Sequence, residues 1–213
     1  MPTHLPSDEI LADYAHGATT PGVAFLLAAH LTQSAESRSK VRAFERVGGA
    51  MLTSGDDAPM GAHALDAVLA RLDAAPGQEF APAPVIDGGP LPRSVTDRIG
   101  VAFDEIPWKR RLPGVAVYDF DGFGDETVQL LRARPGVSVP QHTHEGSEMT
   151  LVMQGVLMDD GVEYHKGDVA VNDEHDDHRP RILGDETCYC LIVQEGSLKF
   201  TGTFSRVLNL LGE

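Results

Sequence analysis

The residues best suited to chemistry are two histidines and a glutamate near the middle of the chain, in the segment 136–148 that reads GVSVPQHTHEGSE. Side chains two positions apart in a strand point to the same face, so His142 and His144 can reach a common point. A bend through residues 145–147 can return Glu148 to that point. Two imidazoles and a carboxylate are donors that divalent metals accept. The spacing therefore predicts a metal site rather than surface histidines on a loop.

A further protein ligand would have to come from another part of the chain. Three histidines follow downstream, His165, His175 and His178, and spacing alone leaves the choice among them open. A closed tetrahedron of protein ligands suits Zn²⁺, whereas Mn²⁺, Fe²⁺ or Ni²⁺ would keep open positions for water or substrate. We expect one divalent metal, with zinc as the first choice and the other three as alternatives.

The stretch that precedes these ligands has the signals of helices. Ser7 can cap a helix that Gly17 would end. Apolar residues then recur at helical spacing, as in the stripe Leu65, Val68, Leu69 and Leu72. Four helices are predicted, over 7–17, from 21 to a break at 34–37, over 39–51 and over 62–72. Residues 1–75 are thus predicted to be a small helical domain.

The composition changes after this domain. Five prolines and three glycines lie between residues 76 and 92, which predicts a Pro/Gly-rich linker over 76–97. Short apolar runs separated by turn signals follow and are typical of a β-sandwich or barrel over 98–213. The runs cover 115–120, 127–131, 149–153, 169–171 and 188–193. The predicted fold class is α + β multi-domain, a small helical bundle joined by the linker to a β domain.

Charge and composition exclude several functions. The chain has 32 acidic and 17 basic residues in a length of 213, a formal charge of -15, which argues against nucleic-acid and acidic membrane surfaces. Cys188 and Cys190 are too close in sequence for a disulfide between them to stabilise a secreted domain. We expect both to be small buried or half-buried side chains. Neither an export signal nor an apolar run of about 20 residues is present. We therefore expect a cytoplasmic protein without direct nucleic-acid or membrane partners.

The histidine-rich segments resemble the two sequence motifs of the cupins. The first motif is matched at Gly136, His142, His144, Glu148 and Gly155, and the second at Gly167 and His178. Departures from the second motif stand at Asp173, His175 and Ile182. The resemblance implies a double-stranded β-helix, or jelly roll, whose metal ligands are His142, His144, Glu148 and His178. It makes His165 and His175 turn residues near the mouth, with His175 as an alternative or outer ligand.

Over its full length the chain resembles the ChrR-type anti-sigma factors, in which a helical anti-sigma domain precedes a cupin. The resemblance is carried by the segments SDEILADYAHG from Ser7, the helix around His30, Ile106–Trp108 with Pro113–Val115, EMTLV from Glu148, Gly167–Asp168, His178–Pro180 and Cys188–Cys190. It implies a transcription regulator that binds an extracytoplasmic-function sigma factor. The sigma factor would be released on a stress signal, oxidative in the best-known member, that is sensed through the cupin.

One departure from that family concerns zinc in the helical domain. The family holds this metal through a His-x3-Cys-x2-Cys run and an upstream histidine, but here the run reads His30, Ser34 and Ser37. A serine hydroxyl is a poor Zn²⁺ ligand beside a thiolate. His4 and His30 alone would form a weak two-ligand remnant. We expect no zinc in this domain and both serines on a polar helix face.

Two functions are compatible with these features. In the regulatory one, apolar side chains of the second helix contact the sigma factor, with a closed helical core as the equal alternative; they are Phe25, Leu26, Leu27 and Leu31. In the other, the cupin is a metalloenzyme such as a dioxygenase acting on a small dicarbonyl or enol, with Glu148 as proton acceptor. The enzyme hypothesis gives no function to the helical domain, so we favour a regulator that is not an enzyme. Pairing of two copies through the cupin is left open.

Overall fold

The computed structural model describes residues 1–75 and 86–202. Part of the predicted linker and the end of the predicted β domain lie outside these residues. The helices are α1 (Asp8–His16), α2 (Pro21–Gln33), α3 (Ala35–Thr53), α4 (Ala64–Ala74) and α5 (Arg93–Ile99), followed by a short 3-10 helix at Phe103–Glu105. The strands are β1 (Lys109–Leu112), β2 (Val115–Phe120), β3 (Glu126–Ala133), β4 (His142–His144), β5 (Glu148–Gln154), β6 (Val156–Asp159), β7 (Val162–Tyr164), β8 (Val169–Asn172), β9 (Arg181–Leu183), β10 (Cys188–Glu195) and β11 (Leu198–Phe200).

The helix boundaries follow local capping. Ser7 accepts a hydrogen bond from the backbone of Ile10 and Gly17 adopts φ 72°, so α1 begins and ends where the sequence predicts. Helix α3 begins four residues before the predicted Ser39, because the Ser34 hydroxyl caps it by accepting from the backbone N–H of Ser37. Helix α5 was not predicted, since it lies mostly within the Pro/Gly-rich segment. In the part of the chain described, no helix has both the length and the apolarity of a membrane span.

The β domain is built around a six-stranded antiparallel sheet in the order β1-β2-β3-β10-β5-β8. A three-stranded sheet, β7-β6-β9, and a two-stranded sheet, β11-β4, complete it. All five apolar runs predicted as strands lie in the six-stranded sheet. The predicted fold class, helices followed by a cupin-like β domain, is confirmed.

The six-stranded sheet is apolar on both faces. Leu131 belongs to an inner cluster with Leu157 and Ile182 of the three-stranded sheet, whereas its neighbour Leu130 belongs to an outer cluster with the helices. Because successive strand residues point to opposite faces, one strand serves both clusters. The helical region therefore packs on the β domain and shares its core. The domain bounds 1–75, 76–97 and 98–213 stay a prediction.

The predicted sigma-contacting side chains of α2 lie in this shared core. Leu26 and Leu27 are fully buried. The ring of Phe25 lies 5.3 Å from that of Phe120 and 5.5 Å from that of Phe123, and Leu31 packs against the same cluster. The sequence identified an apolar face correctly but not what covers it. In this conformation these residues hold α2 on the sheet, and Leu26 and Leu27 present no surface to a partner.

Candidate metal centre

Three short segments bring the predicted ligands into the interior of the β domain. Strand β4 supplies His142 and His144, and Glu148 is the first residue of β5. His178 lies between β8 and β9, and its backbone exchanges two 3.0 Å hydrogen bonds with that of His142. All four side chains are buried. This backbone pairing fixes the positions of His142 and His178 relative to each other.

The three imidazoles converge through the same ring atom. His178 Nε2 lies 3.0 Å from His144 Nε2 and 3.1 Å from His142 Nε2. Glu148 lies at the edge of this group, with Oε2 3.5 Å from His144 Nε2. Among the described residues, these three histidines form the one group of three or more side chains close enough together to bind a metal ion. The fourth predicted ligand is adjacent to the cluster.

The outer ring nitrogens decide which atoms face the centre. His142 Nδ1 lies 2.8 Å from the Pro140 carbonyl, and His178 Nδ1 lies 2.7 Å from Asp159 Oδ2. Both partners are acceptors, so each Nδ1 carries the proton and each neutral imidazole directs an Nε2 lone pair inward. Two such lone pairs at 3.1 Å repel each other unless a proton or a metal ion lies between them. The donor set therefore fits a divalent metal ion.

Burial and neighbouring charges shift the pKa values of the four predicted ligands in different directions. Burial lowers the pKa of His142, and burial together with the two neighbouring histidines lowers the pKa of His144 to about 4. Burial opposes the charged form of His178 as well, but the hydrogen bond and charge of Asp159 raise its pKa. Burial also raises the pKa of Glu148 to about 7. A cation would favour the ionised form of this carboxylate.

Asp159 is a candidate site residue that the sequence did not reveal. It is buried at the end of β6, and Oδ2 accepts from His178 Nδ1 and from Asn172 Nδ2 at 3.3 Å. A carboxylate behind a ligating histidine fixes the ring orientation and raises its basicity. The signal was an acidic residue in the apolar strand Val156–Asp159, but the Asp–Gly turn that follows masks it. Among the described residues, Asp159 Oδ1 and His144 Nδ1 are buried without a hydrogen-bond partner.

The positions of the family's helical-domain zinc site form a different structure here. His30, Ser34 and Ser37 are all buried, so the prediction that the serines lie on a polar helix face is wrong. Ser34 Oγ donates to Ser37 Oγ at 3.0 Å, and Ser37 Oγ lies 2.7 Å from His30 Nε2. His30 Nδ1 lies 2.9 Å from the carbonyl of Gly167, so both ring nitrogens are engaged. Burial lowers the pKa of His30.

His4 is not brought together with His30 as a ligand pair. Its Nδ1 lies 3.5 Å from Asp168 Oδ2, and its backbone N–H donates to Asp168 Oδ1 at 2.9 Å. The two histidines thus contact successive residues of one β-domain turn. The segment before α1, which contains His4, and helix α2 are therefore both held at the turn formed by Gly167 and Asp168.

The remaining histidines and the cysteines lie apart from the candidate ligands. His165 and His175 are exposed turn residues, as the cupin resemblance implies. Cys188 and Cys190 are buried free thiols with sulfurs 3.5 Å apart on the inner face of β10. Burial of these small side chains is confirmed.

Comparison with known proteins adds two matches to this geometry. Residues 96–198 match the family model described as the ChrR cupin-like domain. The chain is 28% identical over 206 residues to the anti-sigma-E factor ChrR of Cereibacter sphaeroides, which covers 96% of this chain and 95% of ChrR. A solved structure of Rhodobacter sphaeroides SigE in complex with the anti-sigma ChrR matches with a TM-score of 0.76 and 28% identity, over 91% of this chain and 99% of the matched chain.

Proposed function

We propose that this chain, whose residues 96–198 match the ChrR cupin-like domain family, is an anti-sigma factor that binds and inhibits an extracytoplasmic-function sigma factor. The likeness to ChrR extends through the helical region as well as the cupin and covers 96% of the chain. The matched solved structure contains ChrR together with the sigma factor SigE. In this proposal the protein acts in the cytoplasm, where a sigma factor binds RNA polymerase.

One observation carries the proposal, the apolar stripe on α4. Leu65, Val68, Leu69 and Leu72 recur at helical spacing and are 48–67% exposed. None of the residues of this helix is buried. An exposed apolar stripe on a helix marks a surface that another protein covers. We assign this stripe, rather than the buried face of α2, as part of the sigma-binding surface.

Charge is consistent with such a partner. A sigma factor contacts DNA and therefore carries basic surfaces, and this chain has a net charge of -15. Electrostatic attraction would speed the encounter of the two proteins. The apolar stripe would supply the buried contact.

The cupin is the proposed sensor. In the proposal, residues 98–213 hold one divalent metal, zinc in the first instance, through His142, His144, Glu148 and His178. When bound, the metal would polarise a coordinated ligand as a Lewis acid. The chain's own residues hold the site in place, with Asp159 orienting one imidazole and the Pro140 carbonyl another.

Helix α2 connects this sensor to the helical region. At its start, the Gly22 backbone donates to Glu126 Oε2 of β3 at 2.7 Å. At its end, His30 contacts the Gly167 carbonyl on one side and Ser37 of α3 on the other. A rearrangement of the β domain would therefore move both ends of α2. For a signal to release the sigma factor, it must stabilise the rearranged state more than the bound one.

Co-purification tests the proposal. The full chain is co-expressed with each extracytoplasmic-function sigma factor of the source organism and analysed by size exclusion. We expect a one-to-one complex that is lost in Leu65→Gln/Leu69→Gln. The matched control is Ala67→Gln/Ala70→Gln, which places two glutamines on the opposite side of α4. Because all four positions are exposed, neither variant should alter the melting temperature.

The outcomes are distinct. Failure of every sigma factor to co-elute with the unmodified chain would refute the anti-sigma function. Complex formation that survives in the stripe variant, or is lost equally in the control, would retain the function and refute the assigned surface.

A further inference from the structure

An arginine-lined cavity opens at the edge of the six-stranded sheet, and none of the candidate metal ligands lines it. Its volume is about 590 Å³. Among the residues that the structure describes, four arginines and no acidic residue line it; the arginines are Arg110, Arg111, Arg132 and Arg134. They are four of only 17 basic residues in a chain with 32 acidic ones. Concentrating like charge in one concave site costs electrostatic energy that an anionic ligand would relieve.

Strand register places two of these arginines on one face. Arg110 of β1 pairs with Ala116 of β2, and Ala116 pairs with Arg132 of β3. Residues in register across adjacent strands share a face, so the two arginine stems flank a small alanine. The gap above Ala116 is wide because its side chain is a single methyl group.

The next row of the sheet extends the cavity. Arg134 follows Arg132 by two positions, and its backbone N–H donates to the Gly114 carbonyl at 2.9 Å. Gly114 has φ 81° and also lines the cavity, and a side chain at this position would collide with Val137. The bulge between Arg110 and Leu112 brings Arg111 to the rim.

The charged groups of the cavity are incompletely neutralised. The Arg132 guanidinium lies 5.0 Å from the centre of the Trp108 ring, which holds it in place without removing its charge. Arg111 lies 3.7 Å from Asp119, a carboxylate that also pairs with Lys109 at 2.8 Å. Within the described residues, Arg110 and Arg134 form neither an ion pair nor a side-chain hydrogen bond.

We propose that this cavity binds a small molecule carrying at least two oxyanion groups, either phosphates or carboxylates. The planar guanidinium fork presents paired N–H donors that match both groups. Among the described residues, the guanidinium groups of Arg110 and Arg134 have no ion-pair partner, while that of Arg132 is held in place by the Trp108 ring. The cavity volume is within the range of small-molecule sites, about 300–1,000 Å³. Neither the sigma-binding stripe nor a metal ligand takes part.

Calorimetric titration of the full chain tests this site. Pyrophosphate and succinate, each titrated at physiological salt, represent phosphate-bearing and carboxylate-bearing ligands. The cavity variant is Arg110→Gln/Arg134→Gln. The matched control is Arg42→Gln/Arg46→Gln, which removes the same charge from exposed positions of α3. Loss of two charge-assisted contacts at a solvent-accessible site should weaken binding about tenfold or more.

Each result has one meaning. The proposal is supported if at least one ligand binds to the unmodified chain and the control, and binds about tenfold or more weakly to the cavity variant. The tighter of the two ligands identifies the oxyanion class. Binding that is unchanged in the cavity variant would place the ligand elsewhere, as for pyrophosphate chelating a metal in the cupin, and would overturn the proposal. Absence of binding for both ligands, or equal weakening in the control, would overturn it too.

Discussion

Replacing Asp159 by asparagine should weaken metal binding while leaving every proposed ligand in place. The carboxylate side chain is 5% exposed and lies 2.7 Å from His178 Nδ1. Asparagine has the same shape, and its amide oxygen can still accept a hydrogen bond from His178 Nδ1. What is lost is the negative charge that holds the His178 ring and raises its basicity.

The size of the effect follows from the kind of hydrogen bond. Bonds to charged groups contribute about 1.5–3 kcal/mol, against about 1 kcal/mol for neutral pairs. Since about 1.4 kcal/mol corresponds to tenfold in an equilibrium constant, removing the charge should cost about tenfold in affinity. Loss of an outer partner of a ligating histidine commonly costs about 10–100-fold. We therefore expect a rise in the metal dissociation constant between about tenfold and a hundredfold.

Competition with a chromophoric chelator measures this change, and elemental analysis gives the metal content of the purified protein. Asp160→Asn is the matched control, because it removes the same charge from the next, exposed residue. Asp160 has φ 43°, a conformation that asparagine tolerates, so the control should fold normally. Equal affinities for Asp159→Asn and the unmodified chain, or equal weakening in both variants, would refute the role assigned to Asp159.

Three further predictions concern the contacts between the helices and the β domain. Glu126→Gln should destabilise the fold by about 1 kcal/mol, because a charged acceptor at the start of α2 is lost. The melting temperature should fall by roughly 2–4 °C. The control Glu186→Gln, at an exposed position, should leave the melting temperature unchanged. Ser34→Cys/Ser37→Cys should bind one additional equivalent of zinc beside His30, and an unchanged metal content would show that the buried cluster cannot rearrange. Burial lowers the folded-state pKa of His30, so the unfolded chain takes up its proton first and stability falls as pH drops below about 6.5. His30→Asn should therefore show a shallower fall in melting temperature between pH 7.5 and 5.5, and parallel curves would contradict this.

Features that depend on short stretches of sequence were predictable. The start of α1 at Ser7 and its end at Gly17 depend on capping residues within one turn. The strands of the six-stranded sheet follow from apolar runs between turn signals. Convergence of His142 and His144 follows from the two-residue repeat of a strand, and spacing in the second cupin motif selected His178. The three imidazoles do converge in the structure, while their role as ligands and the metal itself stay predictions.

Features that depend on which surfaces meet were not predictable. The apolar faces of α2 and α4 look alike in sequence, yet Leu26 is buried against the sheet and Leu69 is exposed. A helical repeat shows that a face is apolar but not what covers it. Asp159 was missed for the same reason, because its partner His178 is 19 residues away. Ser34 and Ser37 were placed on a polar face because hydroxyl residues are usually exposed, and only tertiary packing encloses them.

The buried serine cluster changes what chelation can reveal about this chain. Structural zinc contributes about 10–16 kcal/mol to the folding of a small domain, whereas a hydrogen bond contributes about 1 kcal/mol net. The two hydroxyl contacts to Ser37 cannot replace such a metal, so apolar packing of α1, α2 and α3 on one another and on the sheet must hold these helices together. A chelator would then act on the cupin alone. Release of a bound sigma factor by a chelator would have to be transmitted from the cupin through α2, and it should weaken when Glu126 or His30 is replaced. Release that is equally strong in those variants would mean that the cupin acts by another route.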